Sequence, residues 1–240
     1  MESFSITDVG MKRKMNQDFV FSEENTVGSL PNLFIVADGM GGHKAGDFAS
    51  RFSVEKVVEF IKNCDSKTPI GILENAIRQT NELLIKEANA NPDLEGMGTT
   101  FVVATIIEDI MYVANIGDSR LYVINDDIKQ ITRDHSLVEE MVINGEIEKS
   151  EARFHPNKNI ITRALGANRI VTADFFEVAV SEGDYILLCS DGLSNMIEDY
   201  EIMQIVTSNR DNVEDAVREL VEKANEYGGK DNISAIIVKP

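Results

Sequence analysis

The sequence predicts an α+β fold in which helices pack on antiparallel β-sheets. Strand-like and helix-like segments come in blocks along the 240 residues, and such grouping favours antiparallel layering over strict βαβ alternation. No low-complexity linker and no repeat of fixed period interrupts the chain, and its five prolines and 16 glycines are scattered at expected turns. We therefore expect a single domain over residues 1–240.

The first half of the chain is predicted to begin with strands, continue with two helices and return to strands. An apolar run over 33–37 ends at Asp38-Gly39, which we interpret as a turn. A first helix begins near Gly46, and a second is predicted over 69–90 because its apolar residues fall near one face. The predicted strands are 3–7, 19–22, 33–37, 99–107, 111–115 and 121–124, with a hairpin turn at 125–127.

The second half opens with a polar stretch and returns to strands and helices. Residues 134–168 alternate polar and helical pieces, which indicates a surface insertion and a candidate lid or flap. Two helices are expected after the strands, and the second carries an apolar stripe with Asp211 or Asn212 as its cap. The predicted strands here are 175–180, 185–189 and 233–238.

The charge balance excludes one class of partner. The chain has 23 basic and 41 acidic residues and a formal net charge of −18. Nucleic-acid binding needs a basic surface, so no nucleic-acid partner is expected. Most of these carboxylates are interpreted as a solvated surface, and a few as ligands gathered around cations.

The sequence shows no segment that would carry the chain into or across a membrane. It has no run of 18 apolar residues, and MESFSITDVG has neither a charged nor an apolar leader region. Cys64 and Cys189 share no zinc-like spacing with each other or with a histidine. We expect a cytoplasmic protein with reduced thiols.

Four aspartates lie at the ends of predicted buried strands, and a fifth, Asp18, precedes a short predicted strand. They are Asp18, Asp38, Asp118, Asp191 and Asp231. A charge at the rim of a core is costly to desolvate unless a counter-charge compensates it. The basic residues nearest in sequence are few: Arg13, Lys14, Arg120 and Lys230. A single Asp-Gly is more often a turn or a cap, but the whole set favours hard cations such as Mg²⁺, Mn²⁺ or Ca²⁺.

Two further features fit phosphate chemistry. Arg13 lies five residues before Asp18, and an arginine fork beside such a centre suits bidentate phosphate binding, with a plain surface arginine as the alternative. Residues 39–43 are rich in glycine but match neither the dinucleotide pattern nor the P-loop. They would bring a carbonyl close to an ion or form a flexible turn.

Eight short strings occur in an order that is specific when taken together. They are RKMNQD, VADGMGGH, GTT, IGDSR, DHSLV, ITRALG, GDYILLCSDGLS and GGKDNIS. From about Ile6 to Val238 the chain resembles the metal-dependent protein phosphatase family, type 2C or PPM, and most of all its bacterial serine/threonine phosphatase branch. The resemblance implies a four-layer sandwich of two antiparallel sheets flanked by antiparallel helix pairs.

The resemblance also implies a site with two divalent ions, Mn²⁺ or Mg²⁺, bridged by a water or hydroxide that attacks phosphorus directly. By motif, Asp38 matches the carboxylate that bridges both ions, and the Gly39 carbonyl matches a ligand of one of them. Asp191 and Asp231 match ligands of the other ion. Asp18 matches an acidic residue near the second ion that acts directly or through water.

Three more expectations come from the same resemblance. Arg13 matches the arginine that holds the phosphate, and Asp118 matches a ligand of a third, weaker metal site. Residues 134–165 match a mobile flap. The implied partners are phosphorylated proteins, among them a membrane-anchored serine/threonine kinase and its substrates, and the chain is expected to be a monomer.

Alternatives remain at the level of function and of single residues. A catalytically silent regulator would have lost metal-binding aspartates, and a phosphatase of small metabolites would keep the same site. His43 is either the acid for the leaving group or a turn residue, and the turn is favoured. Asp47 stands where bacterial members often have glutamate, a change expected to leave activity intact.

Overall fold

The computed structural model describes residues 1–42 and 44–240. The strands are β1 (Glu2–Asp8), β2 (Asp18–Glu23), β3 (Leu33–Met40), β4 (Gly98–Thr99), β5 (Phe101–Ile107), β6 (Ile110–Ile116), β7 (Arg120–Ile124), β8 (Ile128–Gln130), β9 (Asp174–Ala179), β10 (Tyr185–Cys189) and β11 (Ile233–Lys239). The helices are α1 (Ala45–Lys62), α2 (Pro69–Ala90), α3 (Leu137–Ile143), α4 (Lys149–Ala152), α5 (Asp191–Ser194), α6 (Asp199–Ser208) and α7 (Val213–Glu226).

The strands form two antiparallel sheets. One sheet has the order β1-β11-β10-β7-β8, and the other has the order β2-β3-β5-β6-β9 with β4 paired to β3. Every strand pair in both sheets is antiparallel. The predicted α+β class with antiparallel sheets is confirmed.

Apolar side chains from the two sheets and the helices form three buried clusters. One cluster joins the sheets to each other and includes Phe34 and Val102 from the second sheet with Leu188 and Ile236 from the first. A second cluster packs α1 and α2 on the second sheet, and a third packs α6 and α7 on the first. Each fully buried aliphatic side chain contributes about 1.5–3 kcal/mol, so these clusters are the main stabilising contacts.

Several elements agree closely with the sequence prediction. Helix α2 spans Pro69–Ala90 as predicted, and the Thr68 side chain caps it by accepting from the Gly71 N–H. Helix α7 is capped by Asn212, whose side chain accepts from the N–H groups of Glu214 and Asp215. Each cap satisfies helix donors that have no partner within the helix.

The predicted turn at Asp38-Gly39 is wrong, because β3 continues through both residues to Met40. Asp38 is the cross-strand partner of Asp18 in β2, and Gly39 is the cross-strand partner of Thr99 in β4. Partners distant in sequence therefore extend the strand past a local turn signal. The chain also breaks the predicted strand 99–107 at Thr100, adds the short strand β8, and places three helices between β10 and β11 instead of two.

The segment 134–165 leaves the first sheet after β8 and contains α3 and α4. An isolated β-bridge between Ser136 and Ile161 joins the beginning of this segment to its later part. A second bridge, between Thr99 and Leu165, joins its end to β4. Among the described residues, no helix is both long and apolar enough to cross a membrane.

Candidate metal centre

The first pair of candidate ligands faces across two neighbouring strands. Asp18 and Asp38 are cross-strand partners of β2 and β3. Asp18 is buried, and its Oδ2 accepts hydrogen bonds from Ser190 Oγ at 2.8 Å and Ser234 Oγ at 2.7 Å. Its Oδ1 is buried with no hydrogen-bond partner among residues 1–42 and 44–240.

Burial changes the protonation of both carboxyls. It raises the pKa of Asp18 to about 7, while the hydroxyls of Ser234 and Ser190 oppose the rise. Burial and the negative charge of Asp18 raise the pKa of Asp38 well above its usual range. Carboxylates that repel each other in a desolvated site are stabilised in the charged form by a nearby cation.

Asp191 begins α5 directly after β10. Asn195 Nδ2 donates to Asp191 Oδ2 at 2.9 Å, whereas Asp191 Oδ1 is buried and has no partner among the described residues. Burial and then the charge of Asp231 raise the pKa of Asp191 to about 6, and the neighbouring Asp38 side chain opposes that rise. Asp38 and Asp191, from two different sheets, therefore meet at this point.

Asp231 and Arg13 complete the mouth of the site. Asp231 lies just before β11, and Arg13 Nη2 donates to its Oδ2 at 2.7 Å. The Arg13 side chain is 50% exposed. The hydrogen bond to Asp231 raises the pKa of Arg13 against the effect of partial burial, and the charges of Asp231, Asp38 and Asp191 add to the rise. The predicted phosphate ligand thus lies beside the predicted metal ligands with one face open to solvent.

Gly39 is required where β3 meets the start of α1. A Cβ at this position would lie 2.0 Å from the carbonyl oxygen of Gly46 and 2.7 Å from that of Gln17. Only glycine allows the backbone segments to approach so closely. The part of its carbonyl in metal binding stays a prediction.

Asp118 lies in the loop between β6 and β7. It is buried, its Oδ1 has no partner among the described residues, and burial with the charges of Asp191 and Asp134 raises its pKa. Arg120 does not pair with Asp118, because its guanidinium binds both oxygens of Asp134. Asp118 and Asp191 line a cleft of about 1090 Å³, and Lys149, Arg153 and Lys158 line it as well.

Two other residues considered in the sequence analysis are His43 and Asp47. His43 lies outside the described residues. Asp47 accepts from Arg51 Nη2 at 3.1 Å one turn further along α1, in an exposed ion pair.

Sequence reasoning missed the polar residues that hold these ligands in place. Ser190 and Ser234 orient Asp18, and Asn232 contacts the segment that carries Arg13. Their signal in the sequence is their position next to Asp191 and Asp231, in CSDG and KDNIS.

The residues fit a group of hard divalent ions. Buried oxygens of Asp18, Asp118 and Asp191 lack partners in the described part of the chain, and oxygen-only sites suit Mg²⁺ and Mn²⁺. In that same part, no three acidic, histidine or cysteine side chains complete a ligand set by themselves. Arg13 forms an ion pair with Asp231. The sequence resemblance also predicts a backbone carbonyl, that of Gly39, as a ligand, so the predicted set does not consist of side chains alone.

Comparisons with known proteins assign the chain to a family. The sequence profile described as protein phosphatase 2C matches residues 11–237. The serine/threonine phosphatase stp of Listeria innocua is 41% identical over 238 residues, which cover 97% of this chain and 93% of that protein.

Solved structures agree with this assignment. The serine/threonine phosphatase Stp1 of Staphylococcus aureus has a TM-score of 0.92 and 36% identity, and the match covers 100% of this chain and 94% of that one. The catalytic domain of the serine/threonine protein phosphatase PstP, crystallised in complex with two manganese ions, has a TM-score of 0.86 and 30% identity, with 98% of this chain and 96% of that one covered.

These relatives share the two-sheet α+β fold with this chain. The chain belongs to the protein phosphatase 2C family, in its branch of bacterial serine/threonine phosphatases, and by family it is a protein serine/threonine phosphatase.

Proposed function

We propose that this chain hydrolyses phosphoserine and phosphothreonine in proteins with two divalent ions, Mn²⁺ or Mg²⁺, bound at the strand ends described above. The observation that carries the proposal is a set of buried carboxylate oxygens, those of Asp18, Asp118 and Asp191, that have no hydrogen-bond partner within residues 1–42 and 44–240. Desolvated charges of one sign are stable together only when cations compensate them. The relative crystallised with two manganese ions supports the number and kind of ions.

The chain offers a distinct ligand set for each ion. Asp38 would bridge both ions, since it interacts electrostatically with each of the other aspartates. The carbonyl of Gly39 would bind one ion, and Asp191 and Asp231 would bind the other. Asp18 would act near the second ion, directly or through water, with its Oδ1, which has no partner in the described part of the chain. Asp118 would bind a third, weaker ion at the edge of the cleft.

The ions would supply a water acidified enough to attack at neutral pH, and they would screen the charge of the phosphate dianion. Arg13 holds the phosphate in line, because its half-exposed guanidinium has donors left to bind two phosphate oxygens. The buried carboxylates fix the geometry before substrate arrives, so little reorganisation is needed during the reaction.

Several broader features belong to the same proposal. The three apolar clusters support a four-layer order of helices, sheet, sheet and helices in a single domain over 1–240. Residues 134–165 would act as a flap over the cleft. The enzyme would work as a monomer in the cytoplasm, where Cys64 and Cys189 stay reduced, and would oppose a bacterial serine/threonine kinase.

The experiment measures hydrolysis of p-nitrophenyl phosphate and of a phosphothreonine peptide with and without Mn²⁺. Asp38→Asn and Asp191→Asn should each lower kcat by at least about 100-fold and weaken Mn²⁺ binding, because each removes a proposed ligand charge. Asp47→Asn is the matched control and should keep both properties, since Asp47 lies in an exposed helix pair.

Two results would contradict the proposal. Unmutated protein with no Mn²⁺-dependent turnover would favour a silent regulator. Turnover of small phosphate esters without any phosphopeptide hydrolysis would favour a metabolite phosphatase.

A further inference from the structure

The segment that carries Arg13 has little apolar anchoring of its own. Residues 11–15 are exposed, and Met11 is 66% exposed. An exposed segment of this kind is held by backbone hydrogen bonds or is not held at all, because it buries too little surface to order itself. The contacts that fix it therefore decide where the Arg13 guanidinium lies.

One buried side chain, that of Asn232, supplies three of those contacts. Its Nδ2 donates to the carbonyls of Val9 and Met15, both at 3.0 Å. Its Oδ1 accepts from the Gln17 N–H at 2.9 Å. Asn232 thus joins both ends of the segment 9–17 at a single point, while its side chain stays buried.

Neighbouring residues bring the same two stretches of backbone together. The N–H groups of Met11 and Lys12 donate to the carbonyl of Gly229 at 2.8 and 3.1 Å. A Cβ on Gly10 would lie 2.1 Å from the carbonyl oxygen of Asp231, so this residue must be glycine for the segment to lie so close. The segment therefore lies directly on residues 229–232.

We propose that Asn232 is a positioning residue that clamps the segment 9–17 and so places the Arg13 guanidinium for phosphate binding. The inference rests on the proposed role of Arg13. Asn232 directly follows Asp231, the proposed metal ligand, and both residues lie just before β11. The start of this strand therefore places the proposed metal ligand and, through Asn232, also Arg13.

The test compares Asn232→Ala and Asn232→Asp with Arg13→Ala and with the double variant Arg13→Ala/Asn232→Ala. Asn232→Asp keeps the acceptor for the Gln17 N–H but loses both donors, and Asn232→Ala loses all three bonds. The matched control is Asn32→Ala. Asn32 is equally buried and also binds backbone groups through its amide, at Ile106, but at the far end of β3.

Arg13→Ala is expected to lower kcat/KM for p-nitrophenyl phosphate by about 10- to 100-fold, the effect of losing charge-assisted hydrogen bonds. Asn232→Ala should lower it by about tenfold, mainly through a higher KM, with a parallel loss in inhibition by inorganic phosphate. The double variant should lie within about twofold of Arg13→Ala, since coupled residues do not add. Asn32→Ala should lower the melting temperature but leave KM within about twofold.

A second measurement reads the clamp without catalysis. Trypsin cleavage after Lys12, Arg13 or Lys14 should become about tenfold faster in Asn232→Ala and Asn232→Asp than in the unmutated protein or Asn32→Ala, because opening of the segment limits cleavage.

Unchanged cleavage at these sites, or losses in kcat/KM that multiply in the double variant, would overturn the inference. Absence of Mn²⁺-dependent turnover in the unmutated protein would overturn the proposed function instead, and the trypsin result would still decide the clamp.

Discussion

At the scale of single residues, two serine hydroxyls determine which oxygen of Asp18 is available. Ser190 and Ser234 both donate to Oδ2, so Oδ1 is left as the buried oxygen without a partner in the described chain. Both hydroxyls also lower the pKa of Asp18 against the effect of burial. They hold the carboxylate in one orientation and favour its charged form, as residues behind a metal ligand commonly do.

Ser234→Ala is therefore expected to weaken Mn²⁺ binding by about tenfold, a typical effect of removing a residue that orients a ligand. Titration calorimetry at neutral pH measures it. Ser53→Ala is the matched control, because Ser53 is also fully buried but donates to the carbonyl of Ala49 within α1. Equal Mn²⁺ affinity in the Ser234→Ala and Ser53→Ala proteins would show that the hydroxyl does not act through Asp18.

At the scale of secondary-structure elements, the sequence predicts correctly those boundaries that depend on neighbouring residues, such as the ends of a capped helix. The range of α2 follows from its apolar periodicity and from Thr68 and Pro69 at its start. The end of β3 could not be found in this way. Asp38-Gly39 is a turn signal in any short window, and the strand continues only because Asp18 and Thr99 pair with these residues. Strand β8, three residues long, is too short for a periodic signal.

The same distinction applies to the candidate site. The acidic residues were predictable because each lies at the end of an apolar run, where an uncompensated charge is unfavourable. Ser190, Ser234 and Asn232 were not, since serine and asparagine are common in loops and their partners lie up to 223 residues away in sequence. Their roles become visible only when strands from the two sheets are brought together.

One arginine attaches the segment 134–165 to the side of the cleft that carries Asp191. Arg153 follows α4 and donates to the carbonyls of Ser194 and Asn195, and it forms an ion pair with Glu198. These contacts join the segment to the region directly after Asp191. Losing them should widen the cleft without removing any proposed metal or phosphate ligand.

Arg153→Ala is accordingly expected to raise KM for a phosphopeptide by about tenfold, since it removes several hydrogen bonds to a charged group. KM for p-nitrophenyl phosphate should change by less than about twofold, because this small ester lacks the peptide that the segment 134–165 would contact. Arg78→Ala is the control, a substitution in an exposed pair with Glu82 on α2. An equal rise in KM for both substrates would contradict a role of the flap in holding the peptide.

At the scale of the whole molecule, the metal-free protein contains several buried aspartate side chains close to one another. Burial raises the pKa of Asp18 from 3.8 to about 7 and that of Asp191 to about 6. Asp38 and Asp118 shift in the same direction. The formal net charge of −18 adds repulsion over the whole surface.

The sign of the resulting pH dependence is opposite to that of an ordinary carboxylate. Because these folded-state pKa values exceed the unfolded value of 3.8, the folded protein binds more protons between about pH 4 and pH 7. Their contribution to the free energy of unfolding is fully present below the unfolded pKa. It is lost as pH rises through the folded pKa, by about 1.4 kcal/mol per pH unit for each carboxyl that titrates alone.

Metal-free protein is therefore expected to melt at a higher temperature at about pH 5.5 than at about pH 8. Excess Mn²⁺ should reverse this order, because the ions bind the deprotonated carboxylates of the folded state and stabilise it by mass action. Asp18→Asn should flatten the metal-free pH dependence, which separates the buried carboxyl from the general relief of surface repulsion. Calorimetric melting with and without chelator measures all three effects. A metal-free melting temperature that rises from about pH 5.5 to pH 8 would show that these carboxyls are compensated within the protein itself and do not need cations.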